Sequence, residues 1–191
     1  MDVANADMRQ RTREEILRNM AELDQLIDEI LLASRLDAKE ADMGTIEAVD
    51  LVGLCAEECA RVGAVLDVPE GMHTLEVQGV AKLLRRMVRN LLENARRYGA
   101  AAPDGGGIVL SLRSEHQQVL LTVCDNGPGV PLEYRERIFE PFFRLPGASE
   151  RVGGVGLGLS LVKSIALRHQ GVVRCIEHQG CGACFEVRLE I

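Results

Sequence analysis

Two asparagines and an arginine lie on one face of a predicted helix in the middle of the 191-residue chain. Asn90, Asn94 and Arg97 are spaced i, i+4 and i+7, and the apolar residues of the same segment form a separate face. Mg²⁺ prefers oxygen ligands such as an amide oxygen, and an arginine fork suits a phosphate. The pattern is typical of a surface that binds Mg²⁺ and phosphate, although solvated surface asparagines give the same spacing.

A carboxylate and two glycines directly follow the predicted strand that ends at Cys124. The segment is Asp125-Asn-Gly127-Pro-Gly129. Glycine allows the backbone to pass close to a flat ligand. Asp125 can accept a hydrogen bond from an exocyclic amine such as that of adenine. The alternative is an ordinary Asn-Gly turn.

A hydrophobic anchor followed by a polar stretch extends from Ile138 to Gly153. It begins Ile138-Phe-Glu-Pro-Phe-Phe-Arg144, which predicts a hinge followed by a mobile lid. Phe139 and Phe142 are interpreted as packing residues. Arg144 is placed where such a lid would bring positive charge to a terminal phosphate.

Four glycines, at positions 153, 154, 156 and 158, precede or open the last predicted helix. Backbone N–H groups at a helix N-terminus, together with the helix dipole, bind phosphate. The segment is not a dinucleotide fingerprint, because Leu159 occupies the third glycine position and no strand precedes it. The chain also has no Gly-Lys-Ser/Thr of a P-loop. A glycine-rich loop without a ligand remains the alternative.

The N-terminal segment 7–42 contains neither glycine nor proline. Its apolar residues recur at intervals of 4, 3, 4 and 3, which predicts a long helix with a coiled-coil seam. One helix cannot bury such a seam, so the expected partner is a second copy of the chain or a segment that has been removed. The alternative is a helix folded onto its own domain. The seam consists of Ile16, Met20, Leu23, Ile27 and Ile30, and it is broadened by Leu17, Leu26 and Leu31.

From Gly44, which is expected to end this helix, the patterns predict one domain of three helices and several short strands. Antiparallel pairs of strands with helices over one face define an α+β fold, an α/β sandwich. Asp50 is expected to cap the first of these helices, and two short strands flank the turn Pro69-Glu-Gly71. The predicted helices are 51–61, 80–98 and 157–169, and the predicted strands are 45–49, 65–68, 74–77, 108–113, 118–124, 172–177 and 183–190.

Composition narrows the classes of function. The chain is 47% hydrophobic and 27% charged, as in globular proteins, and its net charge of −7 argues against a nucleic-acid partner. Without a signal peptide or an apolar run of membrane-spanning length, a cytoplasmic location is expected. The six cysteines are interpreted as small buried hydrophobic residues. The Cys181-Gly-Ala-Cys184 motif lacks a second ligand pair, so neither a zinc nor a redox role is expected there.

In this order and spacing, the four chemistry-bearing segments resemble the ATP-binding boxes of the histidine-kinase branch of the GHKL superfamily (gyrase, Hsp90, histidine kinase, MutL). The resemblance covers residues 45–191 and implies the Bergerat fold, a mixed, largely antiparallel sheet with helices on one face. The preceding helix, with Leu31-Leu-Ala-Ser-Arg-Leu-Asp37, is similar to the second helix of a kinase dimerisation and phosphotransfer domain. The implied domains are therefore 1–43, a truncated phosphotransfer helix, and 44–191, an ATP-binding catalytic domain.

The resemblance also implies roles for matching residues. Asn94 is implied as the Mg²⁺ ligand and Asp125 as the partner of the adenine amine. Asn90, Arg97 and Arg144 are implied as the catalytic set. The implied ATP contacts are Asn90, Asn94, Arg97, Tyr98, Asp125, Gly127, Gly129, Phe142, Arg144, Gly154, Gly156, Leu157 and Gly158.

The chain departs from the family pattern at three places. Val80 stands where an aspartate often precedes the helix, so the helix lacks its usual cap. Ala183-Cys184 replaces hydroxyl residues that often lie near the adenine carboxylate. None of the four histidines is followed by glutamate and an Arg-Thr/Ser-Pro turn, so the phosphoacceptor box is absent.

The resemblance implies the catalytic part of a bacterial two-component sensor histidine kinase, which binds ATP and Mg²⁺ and donates the γ-phosphoryl group to a histidine absent from this chain. The fragment alone is expected not to autophosphorylate. The implied partners are a phosphoacceptor-histidine domain and a response regulator, with a homodimeric parent anchored in the inner membrane. The alternatives are a stand-alone GHKL serine kinase acting as an anti-sigma switch, which would lack the N-terminal seam, and a non-catalytic nucleotide-binding or dimerisation module.

Overall fold

The first element of the structure is a 36-residue helix, α1 (Asp2–Asp37), which ends seven residues before Gly44. All five residues of its seam are exposed, whereas Leu36 near its C-terminus is buried in the core of the following domain. No helix within the described part of the chain is both long and apolar enough to cross a membrane. The computed structural model describes residues 2–38, 40, 43–99, 107–146, 155–177 and 182–191. The exposed seam residues are Ile16, Met20, Leu23, Ile27 and Ile30.

The rest of the described chain forms strands, three α-helices and two short 3₁₀ turns, within a few residues of the predicted bounds. The helices are α2 (Leu51–Val62), α3 (Ala81–Gly99) and α4 (Gly158–Arg168), and the 3₁₀ turns are Leu132–Tyr134 and Arg137–Phe139. The strands are β1 (Glu47–Asp50), β2 (Val65–Asp67), β3 (Glu76–Gly79), β4 (Val109–Glu115), β5 (Gln118–Cys124), β6 (Val172–Ile176) and β7 (Cys184–Glu190).

The strands form two sheets in the described residues. The main sheet has the order β2-β4-β5-β7-β6, and β1 pairs with β3 in a separate two-stranded sheet. Only the β2–β4 pair is parallel, so the predicted mixed and largely antiparallel sheet is confirmed. The strands on either side of the Pro69–Gly71 turn, β2 and β3, do not pair with each other, because each finds its partner in a different sheet.

The three helices of the domain cover one face of the main sheet, which confirms the predicted α+β sandwich. Alternate residues of β5 are fully buried beneath them, as a strand with one covered face requires. The helices contribute a continuous aliphatic core in which aromatic residues are few. The fully buried positions include Leu84, Met87, Leu91, Leu121, Leu161, Ile165 and Val187.

The predicted cap of α2 is confirmed. The Asp50 carboxylate accepts hydrogen bonds from the backbone N–H groups of Val52 and Gly53, at 3.1 and 3.2 Å. It also accepts one from Leu75 N–H at 3.1 Å, which ties the helix start to the segment before β3. One carboxylate therefore satisfies donors at the helix end and in a distant loop.

The start of α3 is capped by a side chain that follows α4. The Val80 N–H donates to Nε2 of His169 at 3.1 Å, and Nδ1 of the same ring lies 2.8 Å from the Ile165 carbonyl oxygen. Since Nε2 accepts a hydrogen bond only when it carries no proton, the ring is neutral with its proton on Nδ1. His169 thus satisfies a donor at the start of a helix whose own first residues supply no capping side chain.

Lowering the pH from 7 to 5 is expected to reduce the free energy of unfolding more in the wild type than in His169→Gln. Burial, reinforced by the charge of Arg168 and opposed by the hydrogen bond to Ile165, lowers the pKa of His169 below 6.5. For a lowered histidine pKa, the stabilisation is complete above the unfolded-state value and is lost as pH falls through the folded-state value, by at most about 1.4 kcal/mol per pH unit. Urea denaturation across this range measures the effect. The proposed capping role of His169 is contradicted if His169→Gln shows the same dependence of unfolding free energy on pH as the wild type. It is also contradicted if the exposed control His73→Gln abolishes that dependence.

Candidate functional site

The four chemistry-bearing segments of the sequence meet around a cavity of about 400 Å³. It lies between one face of α3, the segment after β5 and the N-terminus of α4. Of the predicted residues, Gly127 and Phe142 are not among those that line it, and Gly154 falls outside the described residues. The predicted residues that line it are Asn90, Asn94, Arg97, Tyr98, Asp125, Gly129, Arg144, Gly156, Leu157 and Gly158.

Asp125 has one carboxylate oxygen engaged by the protein and one without a partner in the described structure. Oδ1 accepts hydrogen bonds from the N–H groups of Gly127, at 2.8 Å, and Ala183, at 3.1 Å. Oδ2 is buried and has no hydrogen-bond partner among the residues that the structure describes. Because leaving a buried carboxylate oxygen unpaired is costly, this atom indicates a ligand that donates a hydrogen bond. The exocyclic amine of adenine is such a donor.

The wall behind this carboxylate requires glycine at position 127. A Cβ there would lie 2.6 Å from the carbonyl oxygen of Tyr98, closer than side-chain atoms pack. The turn after β5 therefore lies directly against the C-terminal end of α3. Any side chain at position 127 would push the Asp125 turn away from the helix. Glycine at this position is therefore needed for the close packing of the turn against α3, as well as for the turn itself.

The polar face of α3 borders the cavity along two turns. Asn90 is buried and donates from Nδ2 to the Gly158 carbonyl oxygen at 3.1 Å, which joins α3 to the first turn of α4. Asn94 is half-buried in the lining and Arg97 is exposed at its edge. The i, i+4, i+7 spacing thus does place three polar side chains on one wall.

The two ends of the predicted lid lie side by side. The Phe142 N–H donates to the Gly156 carbonyl oxygen at 3.0 Å, and a Cβ on Gly156 would lie 2.9 Å from backbone atoms of Phe142 and Phe143. Phe139 is buried against Phe185 with its ring edge-on, as predicted for a packing residue, whereas the Phe142 side chain is exposed. The predicted packing role of Phe142 is therefore wrong. Residues 147–153 of the predicted lid lie outside the described residues.

Sequence patterns missed several residues of the lining. Leu26 and Glu29 of α1 reach the cavity, and Glu29 forms a 2.8 Å ion pair with Arg86 of α3. The seam pattern assigned Leu26 to a broadened dimer stripe and carried no signal for Glu29. Ile138 and Phe185 were visible only as apolar residues, because a strand or turn residue does not reveal which cavity it borders.

The prediction that the cysteines are small buried hydrophobic residues is wrong for two of the six. Cys124 and Cys184 are opposite one another on β5 and β7 and form a disulfide, with their Cα atoms 4.1 Å apart. Cys55 and Cys59 are buried free thiols, as predicted. Cys181 of the C-x-x-C motif lies outside the described residues. The disulfide was missed because its partners are 60 positions apart, and only the pairing of the strands brings them together.

Fold and cavity together define a nucleotide-binding α+β domain. Residues 79–191 match the family of histidine kinase-, DNA gyrase B- and HSP90-like ATPases. Since this match covers more than half of the chain, the chain belongs to that family. The unpartnered Asp125 oxygen and the glycine-lined wall fit the adenine of ATP.

Curated relatives carry sensor kinase names. The sensor-like histidine kinase SenX3 of Mycolicibacterium smegmatis is 31% identical over 96% of this chain, and the chain covers 48% of that protein. The sensor protein kinase PmrB of Pseudomonas aeruginosa is 36% identical over 83% of the chain and 33% of its own length. The sensor protein RstB of Escherichia coli is 38% identical over 88% of this chain and 39% of its own length. The chain thus spans between a third and a half of these relatives.

Solved histidine kinases share the fold. The mycobacterial sensor histidine kinase MprB matches with a TM-score of 0.66 and 29% identity, over 75% of this chain and 97% of that one. Full-length ShkA in complex with AMPPNP matches with a TM-score of 0.73 and 27% identity, over 94% of this chain and 38% of that one. The fold is therefore that of the catalytic ATP-binding domain of sensor histidine kinases.

Proposed function

We propose that this chain is the catalytic part of a bacterial two-component sensor histidine kinase and that it transfers the γ-phosphoryl group of ATP to a histidine on another domain or subunit. The observation that carries the proposal is the identity of residue 90. It is an asparagine, and its side-chain amide is hydrogen-bonded to Gly158 where the start of α4 borders the cavity. The members of the family named after gyrase and Hsp90 resemble this chain but carry glutamate at that position. An amide cannot accept a proton from water, whereas a carboxylate can.

The other residues are assigned to parts of ATP by their chemistry and place. Asp125 would bind the adenine amine through Oδ2, with Gly127, Gly129 and Tyr98 shaping the base pocket. Gly154, Gly156, Leu157 and Gly158 belong to the segment that would hold the phosphates, since backbone N–H groups at a helix start bind anions. Arg97 and Arg144 line the cavity where positive charge would offset that of the phosphates.

Asn94 is the proposed ligand of Mg²⁺. It lies one helical turn beyond Asn90 on the cavity wall, and its amide oxygen is a ligand that Mg²⁺ accepts together with phosphate oxygens and water. When bound, Mg²⁺ would supply charge neutralisation at the phosphates. Asn94, Arg97 and Arg144 would then position the phosphates, and Asn90 would leave water without a base.

The remaining assignments concern the parent protein. We propose that residues 1–43 are the second helix of a dimerisation and phosphotransfer domain, whose exposed seam pairs with its first helix and with a second copy. Residues 44–191 are the proposed catalytic domain, acting in the cytoplasm within a homodimeric parent anchored in the inner membrane. The proposed partners are a phosphoacceptor-histidine domain and a response regulator. The exposed seam favours this arrangement over a stand-alone serine kinase.

Incubation with γ-labelled ATP, Mg²⁺ and a separately supplied phosphoacceptor-histidine domain is expected to transfer label to that domain, while the chain alone releases phosphate only slowly. Label on histidine is lost in acid because its P–N bond hydrolyses there, whereas a phosphoserine ester survives. Asn94→Ala is expected to reduce transfer on the order of 10-fold or more.

Asn126→Ala is the matched control for Asn94→Ala. Asn126 carries the same amide and follows Asp125 in the chain, but it is exposed and does not line the cavity. Acid-stable label on a serine-bearing antagonist would support the serine kinase instead. Rapid phosphate release by the isolated chain would refute the role given to Asn90.

A further inference from the structure

The disulfide between Cys124 and Cys184 lies immediately behind the base-recognising wall of the cavity. Cys124 precedes Asp125, and Cys184 follows Ala183, whose N–H donates to the Asp125 carboxylate. The Asp125 N–H in turn donates to the Ala183 carbonyl oxygen at 2.9 Å. The cross-link therefore joins the two strands one residue away from the two hydrogen bonds between Asp125 and Ala183, one of which holds the carboxylate in place.

The register makes this position suitable for a reversible cross-link. Because the Asp125 N–H donates to the Ala183 carbonyl oxygen, Cys124 and Cys184 occupy the next, non-hydrogen-bonded pair, where opposing side chains are closest. The alternation along β5 places Cys124 on the face of the sheet opposite the helices, where it is partly exposed. A thiol reagent can thus reach it without entering the nucleotide cavity.

We propose that Cys124 and Cys184 are a redox modification site, and that the disulfide form holds the adenine-binding wall in its binding geometry while the dithiol form binds nucleotide more weakly. The inference rests on the proposed nucleotide function of the cavity. A disulfide in a compartment kept reducing by glutathione and thioredoxin is typically a transient or sensing one. The cross-link lies where β7 begins, so without it this end of the strand pair is held only by hydrogen bonds, including the one from Ala183 N–H to the Asp125 carboxylate.

The chemistry balances as thiol–disulfide exchange. A thiolate of a dithiol reductant attacks the Cys124 sulfur, the S–S bond breaks, and Cys184 leaves as a thiolate that takes up a proton. The second thiol of the reductant then closes its own disulfide and releases Cys124. Two electrons and two protons pass to the protein, and the reductant is oxidised. Glutathione disulfide drives the reverse reaction.

The other described thiols are poor competitors for this exchange. Burial raises the pKa of Cys59 to about 11, and burial raises the pKa values of Cys55 and Cys175 as well. Since the thiolate is the reactive species, these groups exchange slowly at neutral pH. A chain carrying Cys175→Ser and Cys181→Ser keeps the Cys124–Cys184 pair and removes the two other cysteines that lie outside α2, so it is the background for the test.

A fluorescent ATP analogue titrated into this background is expected to bind about five-fold more tightly after treatment with glutathione disulfide than after treatment with dithiothreitol, because a wall already ordered lowers the cost of binding. Alkylation and mass spectrometry verify each redox state. Adding Cys124→Ser is expected to abolish the difference and leave the weaker affinity. By linkage, saturating analogue should shift the dithiol–disulfide equilibrium in a glutathione buffer by the same factor.

Amide hydrogen exchange at Gly127 and Ala183, the two donors to Asp125, provides a readout that does not need nucleotide. Faster exchange in the dithiol form supports the proposal, and equal exchange refutes it. Equal affinity of the two forms, or a response that survives Cys124→Ser, also refutes it. If neither form binds the analogue, the proposed nucleotide function fails, while the exchange difference still decides whether the cross-link controls this wall.

Discussion

Replacing Asp125 by asparagine is expected to weaken binding of an ATP analogue by roughly 10- to 150-fold, which corresponds to a loss on the order of 1.5–3 kcal/mol. Oδ1 already accepts two backbone N–H groups, and Oδ2 is the buried oxygen without a partner in the described structure. The amide oxygen of asparagine must therefore take the Oδ1 position. Its NH₂ group then faces the cavity, where it meets the adenine amine donor to donor.

This orientation also predicts a change in base preference. The 6-oxo group of guanine accepts a hydrogen bond where adenine donates one, so Asp125→Asn should lose much less affinity for a GTP analogue than for an ATP analogue. Titration of both analogues with and without Mg²⁺ measures the ratio. Asn126→Ser is the neighbouring control, since that side chain is exposed. Unchanged ATP-analogue affinity in Asp125→Asn would remove the adenine assignment.

Replacing Glu58 by alanine is expected to lower the free energy of unfolding by about 3 kcal/mol, because it leaves a cluster of arginines without the buried charge that they surround. The Glu58 side chain is 2% exposed. It accepts a two-pronged contact from Arg89, with both N–O distances 2.9 Å, and a third hydrogen bond from Arg85 at 3.1 Å. This network ties α2 to α3, so its loss should weaken the helix layer that carries Asn90 and Asn94.

The destabilisation by Glu58→Gln should fade in acid. The hydrogen bond from Arg89, helped by that from Arg85, lowers the pKa of Glu58 below 4.5 despite its burial. For a lowered carboxyl pKa, the stabilisation is present above about pH 4.5 and is lost as pH falls through the folded-state pKa. Urea denaturation at pH 7 and pH 3 measures the unfolding free energies of the wild type and Glu58→Gln. A difference between these two free energies that persists unchanged at pH 3 would refute the charge-based explanation.

Glu57→Gln is the matched control for this network. Glu57 also pairs with Arg85, at 2.6 Å, but its side chain is 66% exposed. Exposed ion pairs contribute about 1 kcal/mol or less because water screens them. A loss in Glu57→Gln as large as that in Glu58→Gln would mean that burial is not what makes the Glu58 contacts important.

Local patterns along the chain determined the elements and their order. Asp50 capped α2 as predicted, because a cap depends on residues two and three positions away. The wall formed by Asn90, Asn94 and Arg97 follows from helical periodicity alone. The convergence of four separated segments on one cavity was inferred from a family resemblance. In the described structure all the predicted site residues line that cavity except Gly127 and Phe142, which are absent from its lining, and Gly154, which lies outside the described residues.

What the tertiary structure alone decided are the pairings between residues distant in sequence. Strand partners decided that β2 joins β4 instead of β3, and that Cys124 meets Cys184. Helix packing brought His169 to the start of α3 and Glu29 to the cavity. Periodicity reports which face of an element is apolar, but not which other element covers that face. That choice depends on the packing of the whole domain, in which one element's best partner can lie 60 or 89 positions away.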